Sequence, residues 1–244
     1  MDPILTEEKC LNAFPALKIV LYKGCIIRFA GTYSNRSNSA NPLYTRREDY
    51  EDVIRYVEKL YADNKQAACF KVISTDPYAS LDELLERKSY EKIHETNILT
   101  LTLQHTTLQT DISIDLSYSF TDQWLSSMCA LQAINETDAQ TCTRILKAVQ
   151  VETIVCSFFV NSEFAACGYT TIENGCAGFY DIVVKKELRN KGLGRQVMLT
   201  LMNEAHKRGC TTGYLQVMKN NEPAYHLYEK LGFTYSYSYW YRKK

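Results

Sequence analysis

At 244 residues the chain has room for one large domain or two small ones. Hydrophobic residues at 45% and charged residues at 23% exclude a disordered or fibrous chain. Lys and Arg total 28, as do Asp and Glu, so no global charge field draws the protein to nucleic acid or to an anionic membrane.

No segment approaches the roughly 20 consecutive apolar residues of a membrane-spanning helix; the run IVLYKGCIIRFAG is broken by Lys23, Gly24 and Arg28. The start, MDPILTEEKC, is polar and acidic where a secretory signal would be basic and then apolar. A cytoplasmic protein without membrane or nucleic-acid partners is expected. Nine scattered cysteines, an odd number with no Cys-x-x-Cys pair, argue against a metal cluster or a disulfide framework and for small buried hydrophobes.

In chain order, the first half reads as strands at 18–22 and 25–30, then a Ser- and Asn-rich turn region from Thr32 to Asn41. A helix from Asp49 to Ala62 carries Val53, Ile54, Val57, Leu60 and Tyr61 at helical spacing. A strand from Ala68 to Ile73, a short helix opened by Asp76-Pro77, and an alternating strand from Asn97 to Leu103 follow. The segment 106–135 reads as a helix or a linker around Trp124, Leu125, Met128 and Leu131.

The second half reads as a helix from Thr137 to Val149, then strands at 153–160 and 164–171 joined by Asn161-Ser162, and a strand from Ala177 to Val184. A long amphipathic helix from Leu193 to Lys207 is stopped by Gly209. A strand at 213–218, a helix from Asn221 to Leu231 and a strand at 233–241 complete the chain. This alternation indicates an α/β (α+β, mixed-sheet) fold. One segment echoes another: Phe70 to Tyr90 has the layout of Leu215 to Phe233, namely strand, polar turn, proline, short helix, aromatic. Aligned from their ends, Leu85 falls at Tyr228 and Ser89 at Gly232.

The run Arg189-Asn190-Lys191-Gly192-Leu193-Gly194-Arg195 lies between an apolar strand and an amphipathic helix. Glycines admit close approach of a ligand, and the N–H groups of a helix start hold a pyrophosphate. One Gly-x-Gly by itself is equally a plain helix-start turn. A dinucleotide fingerprint needs a third glycine and an acid after the next strand, and GYLQVM leads to Lys219-Asn220-Asn221 instead; no Gly-Lys-Ser/Thr is present for a Walker loop.

The whole run from Phe179 to Phe233 resembles the GNAT N-acetyltransferase superfamily: strand DIVV, Arg-x-x-Gly-x-Gly, helix, strand YLQV, Asn221, Ala224, and Leu227-Tyr228-Glu229-Lys230-Leu231-Gly232-Phe233. The resemblance implies an acetyl-CoA-dependent N-acetyltransferase with no metal. Ile182, Val183 and Val184 would pair with the pantetheine arm. Residues Arg189, Asn190, Lys191, Gly192, Leu193, Gly194 and Arg195 would hold the pyrophosphate. Asn221 and Ala224 would meet the cofactor from the next helix, and Tyr228 would be the general acid that protonates the CoA thiolate. Lys186 departs from the proline that many relatives carry.

For the base that deprotonates the amine, Asp181, a carboxylate in the strand FYDIVV, comes first and Glu173 second; each also has a plain structural reading. The tail Tyr235-Ser236-Tyr237-Ser238-Tyr239-Trp240-Tyr241 alternates like a half-exposed strand, with packing as its default role and one row as a candidate acceptor wall.

The first half resembles a degenerate copy of the same fold, with no Gly-x-Gly in GTYSNRSNSANPLY and Leu85 in place of an acid. The expected organisation is therefore a degenerate GNAT-like domain at 1–120 and a catalytic one at 121–244. The first would shape the acceptor site or the assembly, through Arg28, Tyr33, Arg36 and Asn38. Acceptor candidates are small-molecule or peptide amines, and the assembly a monomer or homodimer. Rival readings are a non-catalytic CoA-responsive module and an acyltransferase that uses another acyl-CoA.

Overall fold

The computed structural model describes residues 1–31, 33–104 and 113–244. In chain order the elements are α1 (Pro3–Ala13), β1 (Lys18–Tyr22), β2 (Cys25–Phe29), β3 (Ala40–Asn41), α2 (Tyr50–Asp63), β4 (Cys69–Ile73), α3 (Asp76–Arg87), β5 (Glu91–Thr102), β6 (Ser113–Ser117), α4 (Asp122–Leu131), α5 (Glu136–Lys147), β7 (Glu152–Val160), β8 (Glu163–Glu173), β9 (Cys176–Val184), α6 (Leu193–Lys207), β10 (Thr212–Met218), α7 (Glu222–Lys230) and β11 (Thr234–Lys243). The mixed α/β class expected from the alternation is what these elements form. Thr32 and the start of the 106–135 segment lie outside the described residues; the rest of that segment contains β6 and α4.

Two compact units divide the chain. Unit 1 is Met1–Ile98, Met218–Asn220 and Ser236–Lys244; unit 2 is Leu99–Val217 and Asn221–Tyr235. This division by compactness differs from the expected one into 1–120 and 121–244. It gives most of the final strand to unit 1.

Unit 1 orders its strands β1-β2-β3-β4-β11, followed by the first part of β5, and β11 runs antiparallel to β4 with Tyr239 opposite Ile73 and Tyr241 opposite Lys71. Nothing local in a sequence names so distant a partner. On α2, Val53, Ile54, Val57 and Tyr61 are buried along one stripe, and all five residues of β4 are buried. Tyr237, Tyr239 and Tyr241 join this core, so that row packs. The helix α1 was not foreseen, although Asp2-Pro3 is a cap and first-turn pair: the Asp2 carboxylate accepts from the Ile4 and Leu5 amides at 2.7 and 3.1 Å. It brings Glu7, fully buried, onto Lys71, and the Tyr237 hydroxyl donates to the same carboxylate at 2.8 Å. A buried pair of this kind costs about 3–5 kcal/mol when one partner is removed.

Unit 2 orders its strands as the last part of β5, then β10-β9-β8-β7-β6. The β7–β8 hairpin turns at Asn161-Ser162, both at positive φ (51° and 66°), as a two-residue hairpin turn requires. On one face, Val197, Met198, Leu201 and Met202 of α6 pack on Ile154, Cys156, Phe179 and Leu215. The cysteines are free thiols, all buried except the partly exposed Cys176.

The internal echo is reproduced in detail. At the end of α3, the Tyr90 amide bonds to the Leu85 carbonyl and the Ser89 amide to that of Glu86; at the end of α7, Phe233 bonds to Tyr228 and Gly232 to Glu229. Ser89 and Gly232 both take left-handed backbone, φ 64° and 91°.

Candidate active site

The strand β9 is paired to β8 as far as Val184, opposite Ala166. On its other side the parallel ladder to β10 ends at Phe179 opposite Leu215. Past that point the two strands part, and Tyr180 to Val184 present a backbone edge without a strand partner there. At the parting point Asp181 adopts φ 47°, rare for a residue with a side chain, and the register against β8 shifts between Cys167 and Tyr169. No local signal in FYDIVV announces that bulge.

Beyond β9 a short 3-10 turn, Lys186–Leu188, leads to the glycine loop. Asn190 (φ 61°) and Gly192 (φ 82°) bend the chain into the start of α6. A side chain at Gly192 would meet nothing within 4 Å, so the turn opens on free space; one at Gly194 would touch Leu227 and Val184 at 3.4 and 3.7 Å. The first helical bond runs from Gln196 N–H to Gly192 C=O, at 3.1 Å, which leaves the amides of Leu193, Gly194 and Arg195 without acceptors in the helix. No side chain caps this end and its first turn carries no acid. Those amides and the helix dipole form an anion cradle. Lys191 and Arg195 are exposed beside it, and the Arg189 side chain donates to the Val184 carbonyl at 3.3 Å.

From α7, Asn221 is the cap: its side-chain oxygen accepts from the Ala224 amide at 3.3 Å. Its role in holding α7 was not read from sequence. Two turns on, Tyr228 is buried, at 8% exposure, with its ring set edge-on to Phe233. Burial, and then the Asp181 carboxylate, push its hydroxyl up to about 12, so it is protonated at neutral pH and able to donate. The same carboxylate acts on the thiols of Cys129 and Cys167. Asp181 is half-buried; Glu173 closes β8, at the turn before β9. Ile182, Val183 and Val184 line the open strand edge, and Ala224 is half-buried on α7.

In unit 1 the corresponding arm offers no such chemistry: Leu85 is fully buried. Arg28 and Asn38 are spent inside the unit. The Arg28 guanidinium donates to the carbonyls of Phe14 and Arg36, and Asn38 clamps the Ala30 backbone. Arg36 lies over the Phe14 ring, which Tyr33 also approaches. No helix of the described residues is long and apolar enough to cross a membrane, and no three metal-ligating groups cluster among them.

The family model described as "Probable histone acetyltransferase Rv0428c C-terminal" matches residues 5–242. The "Uncharacterized N-acetyltransferase YobR" of Bacillus subtilis is 26% identical over 200 residues, 80% of this chain and 81% of that protein. The "[Ribosomal protein bS18]-alanine N-acetyltransferase" of Escherichia coli is 37% identical over 74 residues, 30% of this chain and 50% of that one. In fold, a GCN5-related N-acetyltransferase from Kribbella flavida superposes with a TM-score of 0.73 at 12% identity, covering 99% of this chain and 95% of that one. A tandem GNAT protein from the clavulanic acid biosynthesis pathway does so with a TM-score of 0.67 at 13% identity, covering 97% and 87%. The chain belongs to the family of that "Probable histone acetyltransferase Rv0428c C-terminal" model, and is a GNAT-type N-acyltransferase.

Proposed function

We propose that this protein moves an acetyl group from acetyl-CoA to a primary amine of a small-molecule or peptide acceptor by direct attack. The observation that carries the reading is the end of the β9–β10 ladder at Phe179 and Leu215, beside an uncapped helix start at Gly192. An extended amide chain finds hydrogen-bonding partners on the open edge at Ile182, Val183 and Val184, and its pyrophosphate finds them at the amides from Arg189 to Arg195. Ala224 and Asn221 would flank the cofactor from α7.

Asp181 takes a proton from the acceptor ammonium, so that the nitrogen lone pair attacks the thioester carbonyl. As the carbon–sulfur bond breaks, the Tyr228 hydroxyl gives its proton to the leaving thiolate. Its raised affinity for protons keeps that acid loaded at neutral pH. The residues 121–244 form the catalytic copy; the copy at 1–120, with Leu85 buried at the acid's position, binds no cofactor. A peptide amine as acceptor is favoured by the likeness of one short stretch to an enzyme named for a protein alanine.

The test is thiol release from acetyl-, propionyl- and succinyl-CoA with a panel of amines and peptide N-termini, in wild type and Tyr228→Phe. The substitution should lower kcat about 100-fold while CoA binds one site per chain with unchanged affinity. Unchanged kcat removes the general-acid role, and two equivalent CoA sites remove the division of labour.

A further inference from the structure

The register of β9 against β8 pairs Val183 with Cys167 and Tyr180 with Tyr169, so two residues, Asp181 and Ile182, lie against the single residue Gly168. An inserted residue reverses the alternation beyond it. Phe179 faces α6 before the bulge, and Ile182 and Val184, instead of Asp181 and Val183, face it after. The backbone alternates with the side chains. Lys185 donates to the Ala165 carbonyl at 2.8 Å, so Lys185 and, two residues back, Val183 bond to β8; the N–H and C=O groups of Ile182 and Val184 are left to the open edge.

Two glycines hold that register. A Cβ at Gly168 would stand 2.6 Å from Ile182 Cδ1, 2.9 Å from Val197 Cγ1 and 3.3 Å from Leu201 Cδ1. Ile182 therefore fills the place that a side chain on β8 would take, clasped between that strand and α6. On the other face Tyr214 lies over Gly178, where a Cβ would stand 2.5 Å from its hydroxyl and 2.7 Å from Tyr180 Cε2. The Tyr180 hydroxyl donates to that of Tyr214 at 2.8 Å, and its ring stacks on Tyr169 with centroids 5.2 Å apart. Asp181, at φ 47°, thus stands between two anchored neighbours, each lodged in space that a glycine leaves. We infer that Gly168 and Gly178 are positioning residues for the acyl-CoA: the room they leave fixes the bulge in the register that offers the backbone of Ile182 and Val184 to the pantetheine arm. The inference rests on the reading of the open edge as the place of that arm. Both glycines are buried, and each acts through the side chain it admits.

Isothermal titration with two probes tests this: acetyl-CoA, and adenosine 3′-phosphate 5′-diphosphate, the part of CoA without pantetheine. Gly168→Ala should weaken acetyl-CoA about 10-fold, the worth of one or two backbone hydrogen bonds, and leave the nucleotide unchanged. Adding Ile182→Val, which removes the Cδ1 atom nearest the new Cβ, should restore most of the loss. The control is Gly213→Ala on β10, whose Cβ would crowd Leu101 Cδ2 at 2.7 Å and Phe179 Cε2 at 2.9 Å but touch no residue of the bulge; both probes should bind it as they bind wild type. Circular dichroism checks the fold, and Gly178→Ala, expected to show the same split between probes, decides if Gly168→Ala does not fold. The inference is overturned by wild-type affinity for acetyl-CoA in the deciding variant, by an equal loss of both probes, by the same loss in Gly213→Ala, or by a double variant no tighter than Gly168→Ala. A wild type that binds acetyl-CoA no more tightly than the nucleotide removes the reading of the edge itself, and the inference with it.

Discussion

The two strand–helix–strand arms, β4–α3–β5 and β10–α7–β11, end their helices with the same hydrogen bonds and with a left-handed residue at the same place. What differs is the side chain one turn before. Leu85 fills the core of unit 1, whereas Tyr228 brings a hydroxyl under the electrostatic reach of Asp181. The geometry of the arm is thus a property of its cap and its apolar stripe, and the chemistry we propose is an addition at one position. Tyrosine packs in both units: unit 1 buries Tyr50, Tyr61, Tyr78, Tyr90, Tyr237, Tyr239 and Tyr241, and unit 2 buries Tyr169, Tyr180 and Tyr214; to Tyr228, buried as well, we assign a second use as proton donor.

Alkali should separate those uses, and with the largest effect. Burial pushes all seven packing tyrosines of unit 1 above the ordinary value near 10, as it does Tyr228, to about 12. Below pH 10 both folded and unfolded chains hold these protons, and nothing depends on them. Above it the unfolded chain releases protons that the folded one keeps, so stability falls as pH rises. Each group contributes up to about 1.4 kcal/mol per pH unit. Urea unfolding followed from pH 8 to 11 should show a flat limb, then a steep loss. Turnover over the same range should show no falling limb from Tyr228 below pH 10.

The arms also show which features a sequence carries openly. The helix α6 begins at Leu193 and ends at Lys207 as read, because a glycine turn, an apolar stripe and a terminal Gly209 are all local signals. The equivalence of Ser89 with Gly232 was legible too, since it needs only matched spacing. Three features were not. The pairing of β11 with β4 depends on residues far apart in the chain. The left-handed Asp181 is imposed by the parting of two strands rather than by its own preference. The helix α1, signalled by Asp2-Pro3, was masked by a polar opening whose buried members, Glu7 and Lys9, look like surface residues.

Exchanging the distinguishing side chain gives a smaller and sharper test. Leu85→Tyr asks a fully buried site to accept a larger ring and an unpaired hydroxyl, and should cost about 3 kcal/mol in urea unfolding. Placed in Tyr228→Phe, it should restore no thiol release, because unit 1 lacks the glycine loop beside its arm. Recovery of turnover in that double variant would mean that unit 1 holds a second competent site.

The smallest effects concern the shared cap, and here the two arms should respond with opposite signs. Gly232 stands at φ 91°, and a Cβ there would find only Leu101 at 3.9 Å, so Gly232→Ala meets backbone strain without a clash and should cost about 1–2 kcal/mol. Ser89 already bears that strain at φ 64°. Ser89→Gly relieves it while loosening the unfolded chain, two effects that partly cancel, and should stabilise by up to about 1 kcal/mol. Urea midpoints at constant m-value measure both. If Ser89→Gly destabilised by as much as Gly232→Ala, the side chain of Ser89 rather than the backbone would be what ends α3, and the two caps would be alike in shape only.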